Sequence, residues 1–311
     1  MERVFQVLEN TVNRSTINDF RIFTNRFHDV TKWFMSSDYC IDDKGKPNDV
    51  ITFVIYPYIL DFPQWSTLID SLQKTDLKNC RSISNEFCSF SHEGYFFSFN
   101  FLIEKNSFIN KWKDHNTLNQ LIDDVLDMIN NKWKVNTPHM IEHYNELEER
   151  LKKLKNDMCA KSFNYKLLSR TIITTFLASY IRYLIIREIE SVEIFSWLSD
   201  RDKMTSCYNS IYEVMYEIIS HCMCYNHLPE DKYFHIKECI PANIEEKIFY
   251  DEFVRVADFI CGGIADFDLQ KKRVHKQKHC TLIEDVIADN HNIAILLFRK
   301  NDIAKCSHRR N

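Results

Sequence analysis

The stretch Phe253-Val-Arg-Val-Ala-Asp258-Phe-Ile-Cys-Gly262-Gly263-Ile264 places an aspartate and then two adjacent glycines inside an apolar, helix-like pattern. The 311-residue chain has only four glycines, so half of them fall in this one turn. Glycine costs about 1 kcal/mol relative to alanine inside a helix. The pair therefore predicts that another element comes close to this helix. Asp258 lies four residues before Gly262 and shares its face. Which other acids meet that face decides the fold.

Working outward, the first third reads as strand-rich after a short N-terminal helical segment at residues 1–30. Lys32 to Ile41 and the β-branched, aromatic run Val50-Ile-Thr-Phe-Val-Ile-Tyr-Pro57 flank a polar turn at Gly45, which predicts a hairpin. A helix is expected around Gln64 to Lys74, then further strand over 87–103 with a turn or kink near Gly94. From 116 to 134 and 140 to 158 the period is helical; the second segment is charged on most faces, with Leu147, Leu151 and Leu154 as its stripe. A long apolar helix from Phe163 to Arg187 leads to a strand over 191–199 and the acidic turn Asp200-Arg201-Asp202. A helix from Thr205, a strand at 233–240, the Asp258 helix, a helix from Thr281 and a strand at 294–298 complete the chain. Strands followed by alternating helix and strand predict α/β layering.

Composition sets the bounds. Apolar residues make up 45% and aromatics 14%, enough for a large core and against general disorder. A net charge of -4 gives no global attraction to nucleic acid, so any such contact must come from a local patch. The eleven cysteines follow no disulfide framework, and the start lacks a signal-peptide pattern; reduced thiols in a cytoplasm are expected. Cys222-Met-Cys224 with His221 and His227 lacks the usual zinc spacing. Arg182 and Arg187 interrupt the apolar run at 171–189, which predicts a buried helix and no membrane span. Glycine is too scarce for a phosphate loop or dinucleotide fingerprint.

Three acids occupy comparable places: Asp38 on an early strand, Asp200 or Asp202 at the exit of a later one, and Asp258 on a late helix. Each has a plainer reading: Asp38 beside the hairpin turn as a solvated or capping carboxylate, Asp200-Arg-Asp202 as an N-cap, and Asp258 as the partner of Arg255. Taken together, their order resembles that of RNase H-like nucleases. The Ala257-Asp258 helix followed by small residues is similar to the late motif of the prokaryotic integrase-like family called domain of unknown function 3800. Ser37-Asp38-Tyr-Cys departs from that family's early Asp-x-Ser-Gly. The resemblance implies an α/β, RNase H-like mixed sheet flanked by helices over 31–300, a helical insertion at about 105–160, and a C-terminal tail at 301–311. It also implies a hydrolase: a nuclease whose carboxylates Asp38, Asp200, Asp202 and Asp258 bind Mg2+ or Mn2+, in bacterial antiviral defence or mobile-element biology. A fourth acid is usual on the first core helix, yet the helix from Phe163 offers none before Glu188 and Glu190; Asp251 and Asp266 are the available substitutes.

The only dense basic run, Lys271-Lys272-Arg273-Val-His-Lys276-Gln-Lys278-His279, follows the Asp258 helix directly. It is either a solvated loop or a contact for a phosphate backbone entering the site, with Lys203 or Arg201 as further phosphate contacts. The alternative to an enzyme is an inactive subunit of the same fold that holds a protein partner or a second copy through the charged helix at 141–155 or through its aromatic surface.

Overall fold

The computed structural model describes residues 1–200, 202–238 and 250–307. The chain divides into two compact units. One comprises Met1–Phe108, Ile185–Asp200 and Asp231–Asn311; the other comprises Ile109–Leu184 and Arg201–Glu230.

The first unit is α/β. Its mixed sheet joins β1 (Lys32–Cys40), β2 (Asp49–Pro57), β3 (Phe97–Ile103), β4 (Ile194–Ser199), β5 (Lys237–Glu238), β6 (Ile293–Phe298) and β7 (Ile303–Cys306) in the order β5-β4-β1-β2-β3-β6-β7. β2 runs antiparallel to both β1 and β3, and β1 is parallel to β4. Helices cover both faces, which is why β2 reads as a continuous apolar run with no alternation. On one face α1 (Glu2–Ser15) and α2 (Ile17–Asn25) pack, with Phe20 edge-on to Phe97 and Phe99 at 5.2 and 5.4 Å. On the other lie α3 (Phe62–Leu72), α4 (Asn85–His92) and the Asp258 helix (Asp251–Asp266), over a core that includes Phe34, Tyr56, Trp65, Phe253 and Phe259.

Three expectations are corrected here. Residues 85–92 form helix, not strand: the Ser84 hydroxyl caps the Phe87 amide, Phe87 and Phe90 bury at helical spacing, and Gly94 at φ +75° ends the segment. The strand expected over 233–240 is only Lys237–Glu238, and residues 239–240 lie outside the described residues. Within the expected tail at 301–311, Ile303–Cys306 form β7 and pair antiparallel with β6, while 308–311 lie outside the described residues.

The second unit is helical, and its bounds exceed the expected insertion at 105–160. It contains α5 (His115–Met128), α6 (Ile141–Met158), most of α7 (Tyr165–Glu188) and α8 (Lys203–His227). α6 buries Tyr144, Leu147, Leu151, Leu154 and Met158, so its apolar stripe is used within the unit. α7 is buried nearly all round, and its Ser179 hydroxyl accepts from Ser220 of α8 at 2.9 Å. No described helix is long and apolar enough to cross a membrane. Numbering the helices onward, α9 is Asp251–Asp266 and α10 is Gln277–Thr281, which continues as a wider turn over Leu282–Ile287.

Candidate functional site

Register puts two of the acids side by side. In the parallel pair β1 and β4, Ser37 lies opposite Ser199, and the Asp200 amide donates to the Ser37 carbonyl at 3.2 Å. The next residue of each strand is an aspartate, Asp38 and Asp200. Neighbours in register point to one face, and alternation puts that face on the side of Ser36 and Leu198. Ser36 donates to the Phe253 carbonyl of α9 at 2.8 Å, and Leu198 belongs to the core beneath α9. Asp38 and Asp200 therefore face the helix that carries Asp258.

Their charges act on one another. Burial raises the Asp38 carboxyl to about 8, with the charges of Asp258 and Asp200 adding to the rise and hydrogen bonds from Cys261 and the Tyr39 amide opposing it. Burial likewise raises Asp258, to about 6; the Leu77 amide and the Lys278 charge oppose that rise, and Asp76 and Asp200 reinforce it. Like charges in a poorly solvated pocket hold protons that a solvated carboxyl would release. Asp258 is not the partner of Arg255, which instead binds Asp70 at 2.6 Å and the Gln73 carbonyl at 2.8 Å.

The glycine pair has a specific neighbour. The segment from Gln73 to Ser84 crosses α9, and the Leu77 amide donates to Asp258 Oδ2 at 2.8 Å. A Cβ on Gly262 would stand 2.1 Å from Leu77 Cδ2, so the missing side chain is the notch in which Leu77 lies. On Gly263 a Cβ would come within 3.1 Å of Leu282 Cβ. Lys278 fastens the same segment by donating to the carbonyls of Leu77 and of Cys80, the latter at 2.9 Å. This crossing also brings Asp76, an acid that the sequence offers only as part of the polar loop Lys74-Thr-Asp76; no spacing marks it.

Other candidates have different duties. Asp202 is the N-cap of α8, its Oδ1 accepting from the Met204 and Thr205 amides at 2.7 and 3.1 Å. Burial raises its carboxyl and the capping bonds oppose the rise. Asp266 is buried among Lys46, His275 and His279. Burial pushes its carboxyl up, but the bonds from His279 and the His275 amide, with the Lys46 charge, outweigh it and hold the group well below the usual range. Asp251 is exposed and lies 3.9 Å from Arg255. Glu188 pairs with Arg21 and Arg187, both at 2.6 Å.

In the basic run, Lys271, Lys272, Arg273 and Lys276 are exposed, whereas Lys278 is spent on the Leu77 segment. Asp268 caps the turn at the amides of Gln270 and Lys271. Lys203 is exposed, and Arg201 lies outside the described residues. None of the described cysteines forms a disulfide, and among the described residues His221, Cys222 and Cys224 do not gather as a metal-binding group.

Among the described residues no three His, Cys, Asp or Glu side chains are drawn together tightly enough to cage one ion. The donor set nonetheless suits a hard cation: all carboxylate, partly buried and mutually repelling. Mg2+ and Mn2+ bind through one or two carboxylates each and keep several waters, so such a site does not require a closed cage. No known protein family, curated protein or solved structure matches the chain.

Proposed function

We propose that this chain is a metal-dependent phosphodiesterase of RNase H-like architecture that cleaves nucleic acid. The observation that carries the reading is the in-register placing of Asp38 and Asp200 toward α9, where burial and then the Asp258 charge raise Asp38. The acids stand on the elements named by the resemblance: the first strand, the end of the fourth, and a late helix. Asp76 supplies a fourth negative charge where the first core helix supplies none, since Glu188 is neutralised by two arginines.

Asp38, Asp200 and Asp258 would hold Mg2+ or Mn2+, which lowers the pKa of a bound water and offsets charge on the leaving oxygen. The protein's own contribution is positional. The Leu77 amide fixes one oxygen of Asp258, the β1–β4 pairing fixes the spacing of the other two acids, and Lys278 tempers the charge around Asp258. Lys271, Lys272, Arg273 and Lys276 are the exposed cations for phosphates of the substrate backbone. The resemblance places such an activity in bacterial defence or mobile-element biology.

A second reading, an inactive subunit of the same fold, is favoured by one observation: the acids do not form a ready cage. Cleavage assays with single- and double-stranded DNA and RNA in Mn2+ separate the two. The nuclease reading expects Asp258→Asn to lose at least about a hundredfold in rate, about 2.7 kcal/mol of barrier, with a melting temperature no lower than the parent's. An inert parent chain favours the subunit reading.

A further inference from the structure

Helix α3 carries more apolar surface than the core takes up. α3 turns Trp65 and Ile69 inward, both essentially fully buried, and the Trp65 ring lies 6.4 Å from that of Phe253 on α9. One step round the helix, Leu68 and Leu72 form a second apolar row that is only partly covered. α4 sends Phe87 inward, 5.1 Å from Phe259, while the ring of Phe90 stacks with that of Tyr95 at 5.9 Å.

Between that row and α4 opens a groove of about 690 Å³, floored by Leu60, Leu68, Leu72 and the buried Phe90 beside Trp65. Ile59 and Tyr95 stand at its lips, 38% and 36% exposed. Its volume lies within the range of ligand sites. The Trp65 indole N–H beneath it is buried without an acceptor among the described residues, an arrangement that settled cores seldom keep.

Charge decides what fits. The charged side chains of the lining are both acidic, Glu86 in the first turn of α4 and Glu93 at its C-cap; Asn85 and Ser89 are the uncharged polar members. Such a rim repels the phosphates of a nucleic acid and attracts cations.

We propose that the groove between α3 and α4 is a docking site for a segment of a partner protein that presents two or three large apolar side chains flanked by lysine or arginine. The apolar side chains lie along Leu68, Leu72 and Phe90, and the basic residues meet Glu86 and Glu93. This is the helix-in-groove or short-peptide mode of recognition, with burial supplying affinity and the acidic rim supplying selection. It is independent of catalysis at the carboxylate site.

The test is a random-peptide display selection against the full chain, followed by titration of the enriched peptides. The expected peptides combine Leu, Phe or Met anchors with Lys or Arg. Their affinity falls by about tenfold or more in the double variant Glu86→Lys/Glu93→Lys, and likewise in Leu68→Asn, while the melting temperature of the charge variant stays that of the parent. A peptide carrying a photocrosslinker should label α3 or α4. Failure to enrich any sequence, enrichment of acidic peptides, affinity unchanged in both variants, or displacement by an oligonucleotide would each overturn the proposal.

Discussion

Asp38 is held near two other carboxylates at the end of a strand, and its proton affinity records that position. A solvated aspartate loses its proton near 3.8, whereas here burial and the charges of Asp258 and Asp200 raise the value to about 8. Between those values the folded chain keeps a proton that the unfolded chain has released, so this group's contribution to stability falls as pH rises through the window. Asn carries no such penalty. In EDTA, Asp38→Asn should melt like the parent below about pH 4 and increasingly above it toward pH 8. Melts that differ by the same amount at every pH would mean the carboxyl is not raised. Asp38, Asp200 and Asp258 were legible in the sequence because each sits at a marked place: a strand, a strand exit, a helix with glycines. Asp76 was not, because a lone acid in a polar loop looks like any solvated turn until the chain crossing over α9 is seen.

At the scale of the element, the glycine pair is the clearest case of sequence anticipating structure. Two glycines in an apolar helix required a close neighbour, and Leu77 supplies it at Gly262. The identity of that neighbour was not legible, since residues 73–84 carry no periodic signal. Gly262→Ala should change stability by no more than about 1 kcal/mol, because the Leu77 methyl can rotate away while alanine gains helix propensity. Gly262→Leu should evict Leu77 and cost about 2–3 kcal/mol in urea denaturation, with faster hydrogen exchange at the Leu77 amide that holds Asp258. An unchanged exchange rate in Gly262→Leu would show that the segment is held by Lys278 alone. α4 shows the opposite outcome. Its aromatic residues suggested a strand, but the Ser84 cap and the Phe87–Phe90 spacing prevail over β propensity. α8 hides a further surprise: Tyr208, Asn209 and Ser210 are left-handed within it, and Arg150 binds the carbonyls of Asn209 and Ser210.

For the whole molecule, α/β layering was legible because strands and helices alternate with distinct periods, whereas the division into units was not. The helical unit joins residues 109–184 to 201–230 across the intervening strand β4, and such long-range pairing leaves no local mark in composition. The acids of the proposed site all lie in the sheet-bearing unit: Asp38, Asp200, Asp258 and Asp76. The measurement that most directly tests the account is anomalous diffraction from a crystal soaked in Mn2+. The account predicts one or two Mn2+ peaks bounded by Asp38, Asp200 and Asp258, with carboxylate oxygens at about 2.1–2.3 Å. Well-ordered carboxylates with no anomalous density between them would contradict it.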